Sequence, residues 1–198
     1  MNHLKFPALL LIIAFVFSFV SCDKEDPVNP DNQNTDTIFA FTCKVKDVAW
    51  NGSAKAAANP NIGILFPQID SLPVALFTGD TLMMGVGGLY NGYQATMLMG
   101  LRTANKSDLR GTYQFAPKIG SLSAGTAIGL FDGSSNDLAA YAFSLDALEY
   151  VDSSRIIITE HKNNRISGTF RFNMKHSLTG QEFNKVTEGS FKNFKIQQ

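Results

Sequence analysis

Hydrophobic and polar positions divide the chain into three stretches with different patterns. Residues 6–20, FPALLLIIAFVFSFV, are uncharged and apolar. Residues 23–36, DKEDPVNPDNQNTD, hold Val28 as their one apolar side chain apart from two prolines. From there onward, apolar residues recur at every second position in short runs, the period of a strand with one buried face.

The alternating region predicts antiparallel β-structure. In FAFTCKV, Phe39, Phe41, Cys43 and Val45 share one face and Ala40, Thr42 and Lys44 the other. The run LMMGVGGLYNGYQATMLMGL centres on Asn91-Gly92, a dipeptide suited to a type I′ turn because both residues tolerate positive φ. That turn fixes a register of Tyr90 with Tyr93, Gly88 with Ala95, Val86 with Met97, Met84 with Met99 and Leu82 with Leu101, all on one face. The other face mixes Gln94, Thr96 and Arg102 with Met83, Leu89 and Leu98, so it is expected to be partly covered. Methionines on the first face read as core.

The last third repeats the pattern. Arg155–His161 leads through Lys162-Asn163-Asn164 into a strand where Ile166, Gly168, Phe170, Phe172 and Met174 alternate with polar residues. A loop at Thr179-Gly180 precedes a final strand. There Phe191 and Phe194 fall on opposite parities, which requires either a bulge between Gly189 and Asn193 or two covered faces. Shorter strands are expected at Gly111–Ala116, Ala127–Phe131 and Ala139–Leu145, while residues 54–80 give no clear pattern. Many short strands between Gly- and Asn-rich turns point to an all-β domain, an antiparallel sandwich or flattened barrel over residues 38–198.

The first two stretches read as an address. Lys5 precedes an apolar run of secretory length, shorter than the roughly 20 residues of a membrane-spanning helix. It ends in Phe19-Val20-Ser21-Cys22, which resembles a bacterial lipobox. Residues 1–21 are then a lipoprotein signal peptide and Cys22 the lipidated first residue of the mature chain. Each buried acyl CH₂ contributes about 0.8 kcal/mol, so two or three chains hold a protein at a membrane. Asp23, Lys24, Glu25 and Asp26 are similar to the surface-export signal of Bacteroidetes lipoproteins. Residues 22–37 form an acidic tether that lacks the apolar residues to fold and is expected to stay disordered. The expected location is the outer membrane, at the cell surface, with the periplasmic leaflet as the alternative.

Charge changes the picture modestly. Overall the 17 basic and 17 acidic residues balance. Residues 37–198 carry fifteen of the basic and twelve of the acidic ones, an excess of three positive charges. From Arg155 onward eight Lys or Arg stand against Glu160, Glu182 and Glu188. Such a face suits anionic glycans, lipid headgroups or a protein partner, though most basic faces are simply solvated. No basic run with interleaved aromatics appears, so nucleic acid is not an expected partner.

Four segments carry a family resemblance: FTCKVKDVAWNG, DLRGTYQF, IIITEHKNNRISGTFRFNM and KVTEGSFKNFKI. Together they resemble a Bacteroidetes lipoprotein family described only as a domain of unknown function. The resemblance implies a β-rich extracytoplasmic domain on a lipid anchor and supplies no reaction, cofactor or catalytic residue. Asp47 stands where the family usually has Gly before the Trp, in a turn that calls for left-handed backbone. Trp50 corresponds to the family's aromatic anchor and reads as packing.

Catalytic signatures do not emerge. There is no G-x-S-x-G elbow and no C-x-x-C. GVGGLYNG has Tyr90 where a dinucleotide loop needs its third Gly. His161 and His176 lack a third ligand for zinc. Asp132 and Asp137 bracket a turn that offers Ca²⁺ oxygens without EF-hand spacing. Cys43 alternates with core residues and has no partner for nucleophilic or metal chemistry. Thr37, within Asp36-Thr37-Ile38, is a candidate O-glycosylation site; Asp70-Ser71-Leu72 and Asp80-Thr81-Leu82 match the same short pattern. The expectation is therefore a binding or structural module for an envelope glycan or protein, with no cofactor. A small envelope hydrolase whose residues meet only in space is the alternative.

Overall fold

Three two-residue turns reverse the chain with both residues at positive φ: Lys46-Asp47 (48° and 64°), Asn91-Gly92 (49° and 83°) and Asn163-Asn164 (52° and 55°). Type I′ geometry matches the right-handed twist of the strands it joins. Asp47 does adopt the left-handed conformation. A computed structural model of the protein describes residues 38–54, 72–133, 148–151, 153–176, 179–180 and 182–197, all within the unit Asp36–Gln198.

The described residues form β1 (Ala40–Val45), β2 (Val48–Asn51), β3 (Val74–Thr78), β4 (Thr81–Tyr90), β5 (Tyr93–Arg102), β6 (Gly111–Phe115), β7 (Thr126–Asp132), β8 (Leu148–Tyr150), β9 (Arg155–Lys162), β10 (Arg165–His176) and β11 (Glu182–Gln197). Among the described residues a 3₁₀ turn at Ile119–Ser121 interrupts them. The protein is all-β. Pairing runs β3-β4-β5-β7-β6-β9-β10-β11, and β11 returns to β3, closing a ring of eight strands. Most pairings are antiparallel, but β11–β3 and β6–β7 are parallel and extend over two residue pairs each. Those two short pairings are seams in the ring.

The hairpin β1–β2 fills the space beyond the first seam. β1 pairs with β11 ahead of the point where β3 joins it. Past β2, the Ser53 N–H donates to the Gly87 carbonyl at 2.8 Å and the Tyr90 hydroxyl to the Val45 carbonyl at 3.1 Å. The turns at Lys46-Asp47 and Asn91-Gly92 thus lie at one end of the ring. At the other end, Asn193 Nδ2 donates to the Ile38 carbonyl at 3.0 Å.

Alternation places the core inside. Phe41, Cys43 and Val45 are buried, and Phe39 packs against them half-buried. The β4–β5 register is the expected one at all five pairs. Met84, Met97 and Met99 are at most 1% exposed, so they fill the core. On the outer face Met83, Leu98, Leu72 and Val74 are buried too. Trp50 packs edge-on against Phe41 at 5.8 Å and Phe131 at 5.3 Å, aromatic geometry that favours packing.

A bulge explains the parity of the last strand. Ile166 pairs with Phe194 and Gly168 with Phe191, so three steps along β11 match two along β10. Asn193, at φ 56°, takes the extra position and both phenylalanines turn inward. The strands expected at Gly111–Ala116 and Ala127–Phe131 appear as β6 and β7. The one expected at Ala139–Leu145 lies outside the described residues, and β3 occupies part of the region without a clear pattern.

The second seam is sealed by a side chain. β6 leaves β7 after Ala127. Beyond it the Tyr150 hydroxyl donates to the Gly129 carbonyl at 2.6 Å and accepts from the Gly129 N–H at 3.0 Å. One phenol thereby does the work of a missing strand. A Cβ at Gly129 would stand 2.9 Å from both Phe115 and Phe172, so only glycine fits under those rings.

Candidate functional site

A cleft of about 390 Å³ opens at the Ile38 end of the ring, beside the short β11–β3 seam. Leu76, Phe77 and Ile196 give it apolar walls, and Lys106, His161, Asn164 and Gln197 supply polar groups. Its volume lies at the small end of the range for small-molecule sites.

Each wall follows from local structure. Leu76 and Phe77 stand near the end of β3, and Ile196 and Gln197 are the β11 residues paired with β3. Asn164 belongs to the type I′ turn between β9 and β10, and its carbonyl accepts from the Ile196 N–H at 2.8 Å. His161 reaches this end through a second bulge. Ser167 pairs with Glu160 but Gly168 pairs with Ile158, so Thr159 is extra and the parity of β9 flips. His161 then shares the inward side with Ile166, which is fully buried.

The fourth wall is the segment 103–110, held by its own polar groups. Asn105 Oδ1 accepts from the backbone N–H groups of Ser107 and Asp108. Asp108 and Arg110 are joined by two side-chain bonds, Nε to Oδ1 at 2.9 Å and Nη2 to Oδ2 at 2.6 Å. The hydrogen bond from Arg110 holds the Asp108 carboxyl well below the usual carboxylate range. Leu109 plugs the ring with no exposed surface. Its N–H donates to His161 Nδ1 at 3.2 Å and its carbonyl accepts from the Tyr113 hydroxyl at 3.0 Å. Because Nδ1 is an acceptor, the neutral imidazole carries its proton on Nε2.

Lys106 completes the arrangement, with Nζ 5.2 Å from the centre of the Phe77 ring. A cation over an aromatic face is attracted by the ring quadrupole, by about 0.5–1 kcal/mol at an exposed site. All four polar side chains can donate a hydrogen bond, and among the described residues the lining includes no carboxylate, hydroxyl or thiol. Such donors over an apolar floor can meet an acceptor group.

The residues singled out from sequence fare differently. Cys22, Asp23, Lys24, Glu25, Asp26 and Thr37 lie outside the described residues, as does Ser71. Thr81 opens β4 opposite Thr78. Cys43 is buried in the core, and burial pushes its thiol up to about 12. Asp132 is buried opposite Thr96, and Asp137 lies outside the described residues. Of the two histidines weighed as metal ligands, His161 uses Nδ1 to hold Leu109, and the side chain of His176 is not described. Among the described residues no three of His, Cys, Asp or Glu gather in one place. Sequence reading did not find Phe77, Lys106, Asn164 or Gln197 as a group, because only ring closure brings them together.

No family model matches the chain, and neither the curated proteins nor the solved structures contain a match.

Proposed function

We propose that this chain is a lipid-anchored extracytoplasmic binding module of the Bacteroidetes lipoprotein type. Cys22 is its anchor, and Asp23-Lys24-Glu25-Asp26 directs it to the cell surface of the outer membrane. The ligand of the cleft is a small amphiphile, an apolar body carrying an oxyanion. The observation that carries the binding reading is the lining itself: Lys106 and His161 Nε2 offer donors above Leu76, Phe77 and Ile196. Binding fits this lining better than hydrolysis, because its described residues set hydrogen-bond donors over apolar walls and include no carboxylate, hydroxyl or thiol.

Calorimetric titration with decanoate tests the reading. Binding is expected, with Phe77→Asp abolishing it and Lys106→Ala weakening it about tenfold, the loss of one charge-assisted contact. Decanol binding as tightly as decanoate would refute the oxyanion, and no binding of either would refute the ligand class.

A further inference from the structure

We infer that the end of the ring bearing Ile38 is a docking face for an anionic lipid surface, engaged by Lys162, Arg165 and Lys195. Arg165 pairs in register with Lys162 on one side and with Lys195 on the other. Paired residues share a face, so three cations stand abreast across three strands, neighbours about 5 Å apart. They point outward, since the adjacent row of His161, Ile166 and Phe194 faces inward, with Ile166 and Phe194 buried. None of the three forms an ion pair among the described residues. Glu160, the acidic residue next along β9, forms none either.

Like charges directly opposite each other destabilise a sheet. A row of three cations outside any ion pair among the described residues gains from an anionic partner, Arg165 through the donors not used on the Asn193 carbonyl. The path of the chain indicates which one. Asn193, in the bulge between Phe191 and Phe194, binds the Ile38 carbonyl, so Ile38, the first described residue, stands at this same end. Fifteen residues separate Cys22 from Ile38, and even fully extended they reach only about 50 Å. The tether therefore leaves the cationic row within reach of whatever surface holds Cys22. Phosphate headgroups beside the anchor supply the missing charge, and each cation near such a surface strengthens attachment about fivefold, about a hundredfold for three.

The proposal rests on the anchored reading of Cys22, and the experiment separates the two. The mature lipidated chain is placed on vesicles of phosphatidylcholine, with or without phosphatidylglycerol, and its lysines are acetylated and counted by mass spectrometry. Lys46, in the turn at the opposite end, is the internal standard. Lys162 and Lys195 should be modified at least fivefold more slowly on the anionic vesicles, with Lys46 unchanged. Salt at about 0.5 M, where the Debye length is about 4 Å, should remove the protection, and so should Arg165→Glu. A chain that floats with both vesicle types but labels equally on them overturns the docking face alone. A chain that floats only with anionic vesicles and is protected there refutes the anchor and supports the face. Equal protection by free inorganic phosphate overturns the lipid surface in favour of a soluble anion.

Discussion

The backbone N–H of Leu109 donates to Nδ1 of His161 across 3.2 Å, joining a buried loop residue to a strand 52 residues away. This bond fixes the wall of the cleft and the tautomer of the histidine at once. His161→Ala leaves a part-buried N–H without its acceptor, and we expect a loss of about 1–3 kcal/mol. His161→Asn places an amide oxygen near the Nδ1 position and should recover most of that stability, while removing the Nε2 donor from the cleft. Urea midpoints of the unit Asp36–Gln198 measure the first effect, and decanoate titration measures the second.

Much of this fold was legible because its strands have one inward face. The β4–β5 register followed from Asn91-Gly92 and the alternation around it, and the conflict between Phe191 and Phe194 called for a bulge or two covered faces, of which the structure has the bulge, at Asn193. The cleft was not legible. RIIITEH puts Ile156, Ile158 and Glu160 on one parity and His161 on the other. The bulge at Thr159 that turns His161 inward is marked by no Gly or Pro. Phe77, Lys106 and Gln197 lie far apart in sequence and meet through ring closure, which local periodicity does not encode. Tyr150 escaped notice for the same reason: its role depends on where β6 leaves β7.

Tyr150→Phe tests that seam. The substitution keeps the ring and removes the hydroxyl that bonds both the N–H and the carbonyl of Gly129, so the expected cost is about 1–3 kcal/mol. Gly129→Ala should cost at least as much, since its Cβ has to displace Phe115 and Phe172. Chemical denaturation of both variants checks the pair. Near-neutral behaviour of Gly129→Ala would mean those rings do not press on β7.

Cys43 predicts a pH response. Burial raises its thiol from 9.0 to about 12, so in the folded state it stays protonated where an unfolded thiol ionises. Its contribution to stability is complete below about pH 9 and is lost as pH rises from about 9 toward 12. Iodoacetamide at pH 8 should label Cys43 only as fast as the domain unfolds. Cys43→Ala should lessen the alkaline loss while weakening the fold at neutral pH. Rapid labelling under native conditions would contradict the burial.

The hairpin gives an ordering. Met97→Asp puts an unpaired carboxylate at a site 1% exposed and should be the most damaging change. Gly92→Val, at φ 83°, should cost about 1–3 kcal/mol in backbone strain. Gln94→Asp is exposed and should cost little. Denaturant midpoints in any other order would argue against this register.

Heteronuclear NMR of the isotope-labelled unit Asp36–Gln198, titrated with decanoate, tests the binding cleft most directly. The account predicts progressive, saturable shifts at Leu76, Phe77, Lys106, Asn164 and Gln197, with Leu109 following through its bond to His161. Asp47 and Tyr93, at the opposite end, should not move. Shifts confined to that opposite end, or none anywhere at millimolar decanoate, would contradict it.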